Sequence, residues 1–260
     1  MLEPEPQIPV GPASRGEVAQ RLLAASPQTG RALADNLLPA VRLAVRREPD
    51  AALDVAQSKI GGAPDLPVGT FWPSWTPPGG EKRYLQFFAQ VDLAEVAAAA
   101  PGDPGGLGLP ADGLLSFFAD FDPEQGDVPG PEAVVVHFSP ADAQFTRCGL
   151  RLTPVPTAHF HPLGTWTWPG DSGGTTAVTQ EEEAALLARV PERYHVTAHH
   201  QMGGHVPGVE GATLLLQVDS EASLELAWGA GGSRGRLVWT MPAADLASRN
   251  WEAARLTLLA

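Results

Sequence analysis

Apolar and polar positions along this chain change period several times, and the changes mark its elements. Val18, Leu22 and Leu23 fall at helical spacing, Glu17 stands three places after Ser14 to complete a capping box, and Pro27 stops the run. A second helical segment is expected over 30–38, ending before Pro39. The period then drops to two. Val41, Leu43 and Val45 alternate with Arg42, Ala44 and Arg46, which predicts a half-exposed strand with its arginines along a solvated edge. Further strands are predicted over 84–91, 114–121, 134–138, 150–154, 213–218, 224–228, 236–241 and 255–259. Short helices are expected over 93–100, capped by Asp92 with Glu95 reciprocating, and over 179–190, opened by Thr179 and Glu182. Residues 61–82 read as a long loop carrying Phe71, Trp72 and Trp75, and 154–178 as an irregular connector carrying Trp166 and Trp168.

The order of these elements occurs twice. Gly61-Gly62 near Pro64 leads to a strand closing on Gln90-Val91-Asp92, then to a glycine-led strand from Gly113. Gly203-Gly204 near Pro207 leads to a strand closing on Gln217-Val218-Asp219, then to a glycine-led strand from Gly235. Two copies predict a paired architecture rather than an array. The expected fold is α+β: mainly antiparallel β-sheets from two related halves, with an N-terminal helical segment and a few short helices. The chain is divided as one compact domain: tail and helices 1–39, first half 40–153, connector 154–178 and second half 179–260.

Composition narrows the partners. The 28 glycines and 26 prolines among 260 residues favour short strands and long loops over a helical bundle. Thirty Asp+Glu against 17 Lys+Arg leave a net charge of −13, which opposes nucleic acid and anionic membrane as partners. The start, Met1-Leu2-Glu3-Pro4-Glu5-Pro6, is unlike a signal peptide, and no apolar run is long enough to span a bilayer. A single cysteine, Cys148, allows no intrachain disulfide, fits a cytoplasmic location and reads as buried and inert.

Several motifs carry little chemistry. The pentapeptide at 170–174 spells the surroundings of a trypsin-like serine nucleophile, but no histidine precedes His137 to serve as its base. His159, His161, His199, His200 and His205 cluster without any standard zinc spacing, so they read as surface or loop residues, and no metal or cofactor is expected. The glycine-rich run at 229–235 lies between strands and lacks a phosphate-binding ending. Alternation puts Gln90 with Asp92, and Gln217 with Asp219, on one face of their strands. If the halves meet about a pseudo-two-fold axis, these four side chains converge at the join; the plainer reading is that each caps or satisfies a turn. Lys59 offers a cation to an anion or carboxylate, most simply in a surface ion pair. Trp72 belongs to an aromatic loop that either docks a partner or folds back over a sheet.

Taken together, the segment 58–67, Trp72-Pro73, 85–93, 113–122, the Gly203-Gly204 pair with Pro207, 214–219 and Trp228-Gly229 resemble the YwqG-like family of bacterial proteins of unknown function. The resemblance implies a mostly antiparallel α+β fold of two related halves and no particular reaction. The leading expectation is a non-catalytic cytoplasmic binding or protein-interaction module, of accessory or immunity type. Its binding candidates are Lys59, Trp72, Gln90, Asp92, Gln217 and Asp219. The alternative is an enzyme or small-molecule binder with a polar site at the junction of the halves.

Overall fold

A computed structural model describes residues 13–102, 104–121, 130–153, 155–168, 179–189, 200–205, 212–228 and 234–259. The N-terminal tail, the pentapeptide at 170–174, His199, Pro207 and most of the glycine-rich run at 229–235 lie outside them. The fold is mixed α+β, with antiparallel sheets and a few helices. Helix α1 (Arg15–Ala25) opens with both halves of the Ser14–Glu17 capping box and buries Val18 and Leu22. It packs with α2 (Thr29–Asp35) on Leu37 and Trp166.

Strands follow as β1 (Leu38–Arg47), β2 (Lys59–Ile60), β3 (Asp65–Pro67), β4 (Ser74–Trp75), β5 (Arg83–Tyr84) and β6 (Gln86–Asp92). After α3 (Leu93–Ala99) come β7 (Leu114–Ala119), β8 (Val134–Ser139), β9 (Phe145–Arg147) and β10 (Ala158–Thr167). Helix α4 (Gln180–Leu187) begins at the Thr179–Glu182 capping box. The chain then runs through β11 (His200–Gly203), β12 (Ala212–Asp219), β13 (Arg236–Pro242), α5 (Ala243–Ala247) and β14 (Arg255–Leu259).

Ten strands form one sheet in the order β14-β13-β12-β11-β1-β10-β2-β6-β7-β8, every pairing antiparallel. Six strand spacings separate β6 from β13, about 29 Å in a flat sheet. Yet the Phe88 and Trp239 rings of these strands lie 5.4 Å apart. The sheet therefore curls on itself around a core of Phe88, Phe117, Phe160, Met202, Leu216 and Trp239. At its outer ends, Phe138 of β8 stacks on Trp251, just ahead of β14, at 5.7 Å and 16°. The curl brings the two free edges close to each other.

Four expectations need correction. The stretch 154–178 is not an irregular connector throughout, because 158–167 form β10, a ten-residue central strand. Pro162 and Gly164 interrupt its apolar alternation, and β1 supplies the continuous partner that holds it extended. β1 is central in the strand order, but among the described residues β11 meets it only over 40–42, and Arg46 and Arg47, further along, are exposed. Residues 150–153 form no strand, and the short strand falls earlier, at β9. Residues 224–228 form no strand either: a 3₁₀ turn (Ala222–Leu224) ends at Glu225 with φ 57, which turns the chain instead of extending it.

Candidate functional site

The strongest concentration of buried charge begins at the first glycine pair. Gly61 and Gly62 take φ of 66 and 77. A Cβ at Gly61 would run into the carbonyl oxygens of Val155 and Pro156. This left-handed turn swings the chain from β2 into β3 and lays Asp65 over Lys59. Lys59 stands opposite Gln90 of β6 on one side and His159 of β10 on the other. It is completely buried.

Its ammonium lies 2.9 Å from Asp50 Oδ1 and 3.3 Å from Asp65 Oδ2. Arg147, from β9, completes the set: Nε donates to Asp65 Oδ1 at 2.9 Å and Nη2 to Asp65 Oδ2 at 3.2 Å. The rest of its guanidinium donates to the carbonyls of Asp50, Leu53 and Asp54. Gln90 locks the centre, accepting from Asp65 N–H at 2.8 Å and donating to Asp65 Oδ2 and the Gln57 carbonyl. Burial alone would raise the Asp65 carboxyl. The hydrogen bond from Arg147, the charge of Lys59 and the Gln90 amide more than reverse this and hold it below the usual range. Two cations thus meet two carboxylates, and every charged group has partners. Such a set fixes a loop; a carboxylate held this firmly ionised is a poor proton carrier.

A second polar group adjoins it. Ser58 Oγ donates to Glu95 Oε2 at 2.5 Å and accepts from Asp92 N–H at 2.9 Å. Asp92 caps α3 by accepting from Ala94 N–H at 2.8 Å, while Glu95 turns to Ser58 rather than reciprocating the cap. Burial raises the Glu95 carboxyl and nearby Asp92 adds to it, against the Ser58 hydrogen bond and the charge of His161. His159 is a buried strand residue, contrary to the surface expectation. Its Nε2 faces the Gln57 amide at 2.9 Å, its Nδ1 lies 3.9 Å from Glu48, and its ring meets His161 at 4.1 Å. Burial and the neighbouring His161 lower its pKa. A cleft of about 390 Å³, lined by Arg47, Glu48, Asp50, Arg151 and Thr157, opens beside this region.

At the second glycine pair, Gly203 and Gly204 take φ of 68 and 76. Gln201 stands opposite Gln217, as Lys59 stands opposite Gln90. Gln217 donates to Asp219 Oδ1 at 2.7 Å, Arg236 approaches the same oxygen at 3.8 Å, and Asp219 N–H donates to His200 Nδ1 at 3.2 Å. Gln201 reaches the His205 carbonyl at 3.2 Å. His200 is buried in β11, again not at the surface. Beside this end lies an apolar hollow of about 330 Å³ lined in part by Leu38, Leu107, Gly203 and Leu246.

The structure joins Lys59 with Gln90 and Gln217 with Asp219, on strands well separated in the order of the sheet. Gln90 and Gln217 are five strand spacings apart, about 24 Å along the sheet. Asp50, Asp65 and Arg147 were missed as partners of Lys59. Asp65 sits within the Gly-Gly-Ala-Pro-Asp stretch and was the one local signal; Arg147 lies 97 residues from Asp50. Trp72 folds back over the sheet, its Nε1–H donating to the Leu85 carbonyl at 2.7 Å and its ring edge-on to Phe118 at 5.8 Å. Trp75 Nε1–H donates to Asp120 at 2.9 Å. Above these anchors Phe71 is 92% exposed and Val68 68%, with Tyr84 at 53%.

Cys148 is half-buried, and burial raises its thiol pKa, with Asp65 adding to the effect. Among the described residues, no group of three or more His, Cys, Asp or Glu is placed to hold a metal ion. No described helix is long and apolar enough to cross a membrane.

Residues 58–258 match the model of a family described as a domain of unknown function, DUF1963, and the chain belongs to that family. None of the curated proteins matches it.

Proposed function

We propose that this chain is a non-catalytic, cytoplasmic interaction module whose partner is another protein docking on the segment 68–84. One observation carries this reading: Phe71, Val68 and Tyr84 are held out in water while Trp72 and Trp75 brace the segment from beneath. A mobile loop would bury such side chains or scatter them; a braced one presents them. Lys82 over the Tyr84 ring sets positive charge beside this exposed side chain, while Arg83 is paired with Asp120 at 3.5 Å. The buried charges supply the complementary argument, since Lys59, Asp50, Asp65 and Arg147 compensate one another and leave no activated nucleophile or base within that cluster.

The test is retention of proteins from a cell extract on the immobilised chain against a Phe71→Ser/Tyr84→Ser variant. The double change should leave stability within about 0.5 kcal/mol, as exposed positions do. A protein held by the native chain and lost with the variant supports the reading. Identical profiles overturn it.

We also infer an internal duplication. Matched left-handed glycine pairs support it, as do register shifts two residues before Gln90 and before Gln217. So do equivalent hydrogen bonds, from Leu93 N–H to Gly113 and from Ser220 N–H to Gly235. The alternative function, an enzyme or small-molecule binder with a polar site at the junction, has one observation in its favour. This is the cleft at Arg47, Asp50 and Arg151, where β1 and β10 end beside the Lys59 cluster. A thermal shift with small anions that Arg151→Ala abolishes would favour it over the interaction reading.

A further inference from the structure

A curled sheet that stops short of closure leaves a gap between its terminal strands. Here those strands are β8 and β14. β8 pairs only with β7, in an unbroken register from Leu114↔Ser139 to Ala119↔Val134. Asp120 N–H donates to the Ala133 carbonyl at 3.0 Å, which fixes the phase of that ladder. Residues 135, 137 and 139 exchange hydrogen bonds with β7, so Val136 turns its N–H and C=O to the open side. Among the described residues no strand meets them there.

Natural edges are guarded by lysine, proline, a bulge or a covering element. The sequence of β8, Val-Val-Val-His-Phe-Ser, contains none of the first three. Its far end is covered by Trp251, stacked on Phe138. Its near end is partly closed, because Val134 N–H donates to the Pro131 carbonyl, and Val136 is the open position. There residues 134–136 form one wall of a groove of about 390 Å³, with Trp251, Glu252 and Arg255 on the other side and Glu132 at the rim.

Backbone and charge together specify an occupant. The Val136 N–H and C=O, with the Val134 C=O beside them, are the groups this edge offers to an extended strand. Arg255 is drawn back onto its own turn, its Nη1 donating to the carbonyls of Glu252 and Ala254 at 3.2 and 2.7 Å. Glu132 and Glu252 are both exposed, and neither forms an ion pair among the described residues. A second copy of this chain carries the same net charge of −13, which disfavours self-pairing. We propose that the groove between β8 and β14 binds an extended, basic peptide segment of a partner protein, added as a strand to the β8 edge with lysine or arginine beside Glu132 and Glu252. This surface is separate from the Phe71 segment, and the proposal does not rest on that reading.

The probe is a labelled hexapeptide, acetyl-Lys-Val-Thr-Val-Lys-Val-amide, followed by fluorescence anisotropy, with a Glu-for-Lys peptide as control. Hydrogen exchange over 131–139 supplies the second readout. The lysine peptide should bind at least tenfold more tightly than the control and slow exchange over 131–139. Glu132→Lys/Glu252→Lys should reverse the preference, and Phe71→Ser should leave it unchanged, which separates this site from the 68–84 segment. A Val136→Pro variant, checked for folding by circular dichroism, should lose binding, because proline removes only the outward N–H. The proposal is overturned by equal binding of both peptides, by no binding at millimolar peptide, or by protection of 131–139 through self-association without peptide.

Discussion

The two glycine-pair ends share a backbone and differ in what they bury. Both turn through φ near 66–77, and both set a side chain opposite a strand glutamine, Lys59 opposite Gln90 and Gln201 opposite Gln217. At the first end that side chain is a cation, and the 50–67 segment with Arg147 folds down to neutralise it. At the second it is an amide, which donates to the His205 carbonyl four residues on, while Gln217 donates to Asp219. The charge at Lys59 therefore accounts for the distant carboxylates and Arg147 at the first end, whereas the second end reaches distant chain through the neutral contacts of His205 with Thr167 and the Asn36 carbonyl.

The comparison is broken most forcefully at the cation. Lys59→Met leaves Asp50 and Asp65 to Arg147 alone and should cost about 3–5 kcal/mol, whereas Gln201→Met should cost about 1 kcal/mol, both by urea unfolding. Equal losses would mean the ion cluster is no more than an ornament on a common scaffold.

The glycines come next. Alanine at either Gly61 or Gly203 carries about 1–3 kcal/mol of left-handed backbone strain. At Gly61 the added methyl also strikes the fixed carbonyls of Val155 and Pro156, while at Gly203 it meets chiefly the end of the Leu107 side chain. Gly61→Ala should have the lower midpoint in thermal melts.

Acid sharpens the contrast further. The folded-state pKa of Asp65 is depressed, so its contribution is complete above the unfolded carboxylate value, about 3.9, and disappears as pH falls through the folded value. Asp65→Asn should be less stable than the native chain at pH 7, and the two stability curves should converge below pH 4.

The smallest effect belongs to Glu95, whose folded-state pKa is raised. The stability tied to its protonated form is complete below the unfolded value and is lost as pH rises through the folded one. Glu95→Gln keeps an acceptor for Ser58, so it should gain on the native chain as pH rises from 4 to 7. A constant difference across that range would show that Glu95 is not desolvated as described.

Features decided by neighbouring residues were legible in the sequence. The Ser14–Glu17 and Thr179–Glu182 boxes are fixed by three-residue spacing, and the alternation of β1 by its own side chains. Features decided by partners far along the chain were not. β10 is extended because β1 runs beside it for ten residues, although its own sequence includes Pro162, Gly164 and two histidines. A lone lysine ahead of two glycines looks solvated until Asp50, Asp65 and Arg147 are known to converge on it from three separate segments. The repeated Gln-x-Asp pattern marked the ends of β6 and β12 but not their separation around the sheet, which depends on the strands inserted between them.

The central position of β1 also sets a timetable for making the protein. This strand leaves the ribosome ahead of the rest of the sheet, yet its neighbours β10 and β11 are synthesised only after all of β2 to β9. Pairings so distant along the chain close late and slowly. Until they do, a ten-residue ribbon with two bare sides is open to other nascent chains, and Arg42, Arg46 and Arg47 are the charges that hold such chains away.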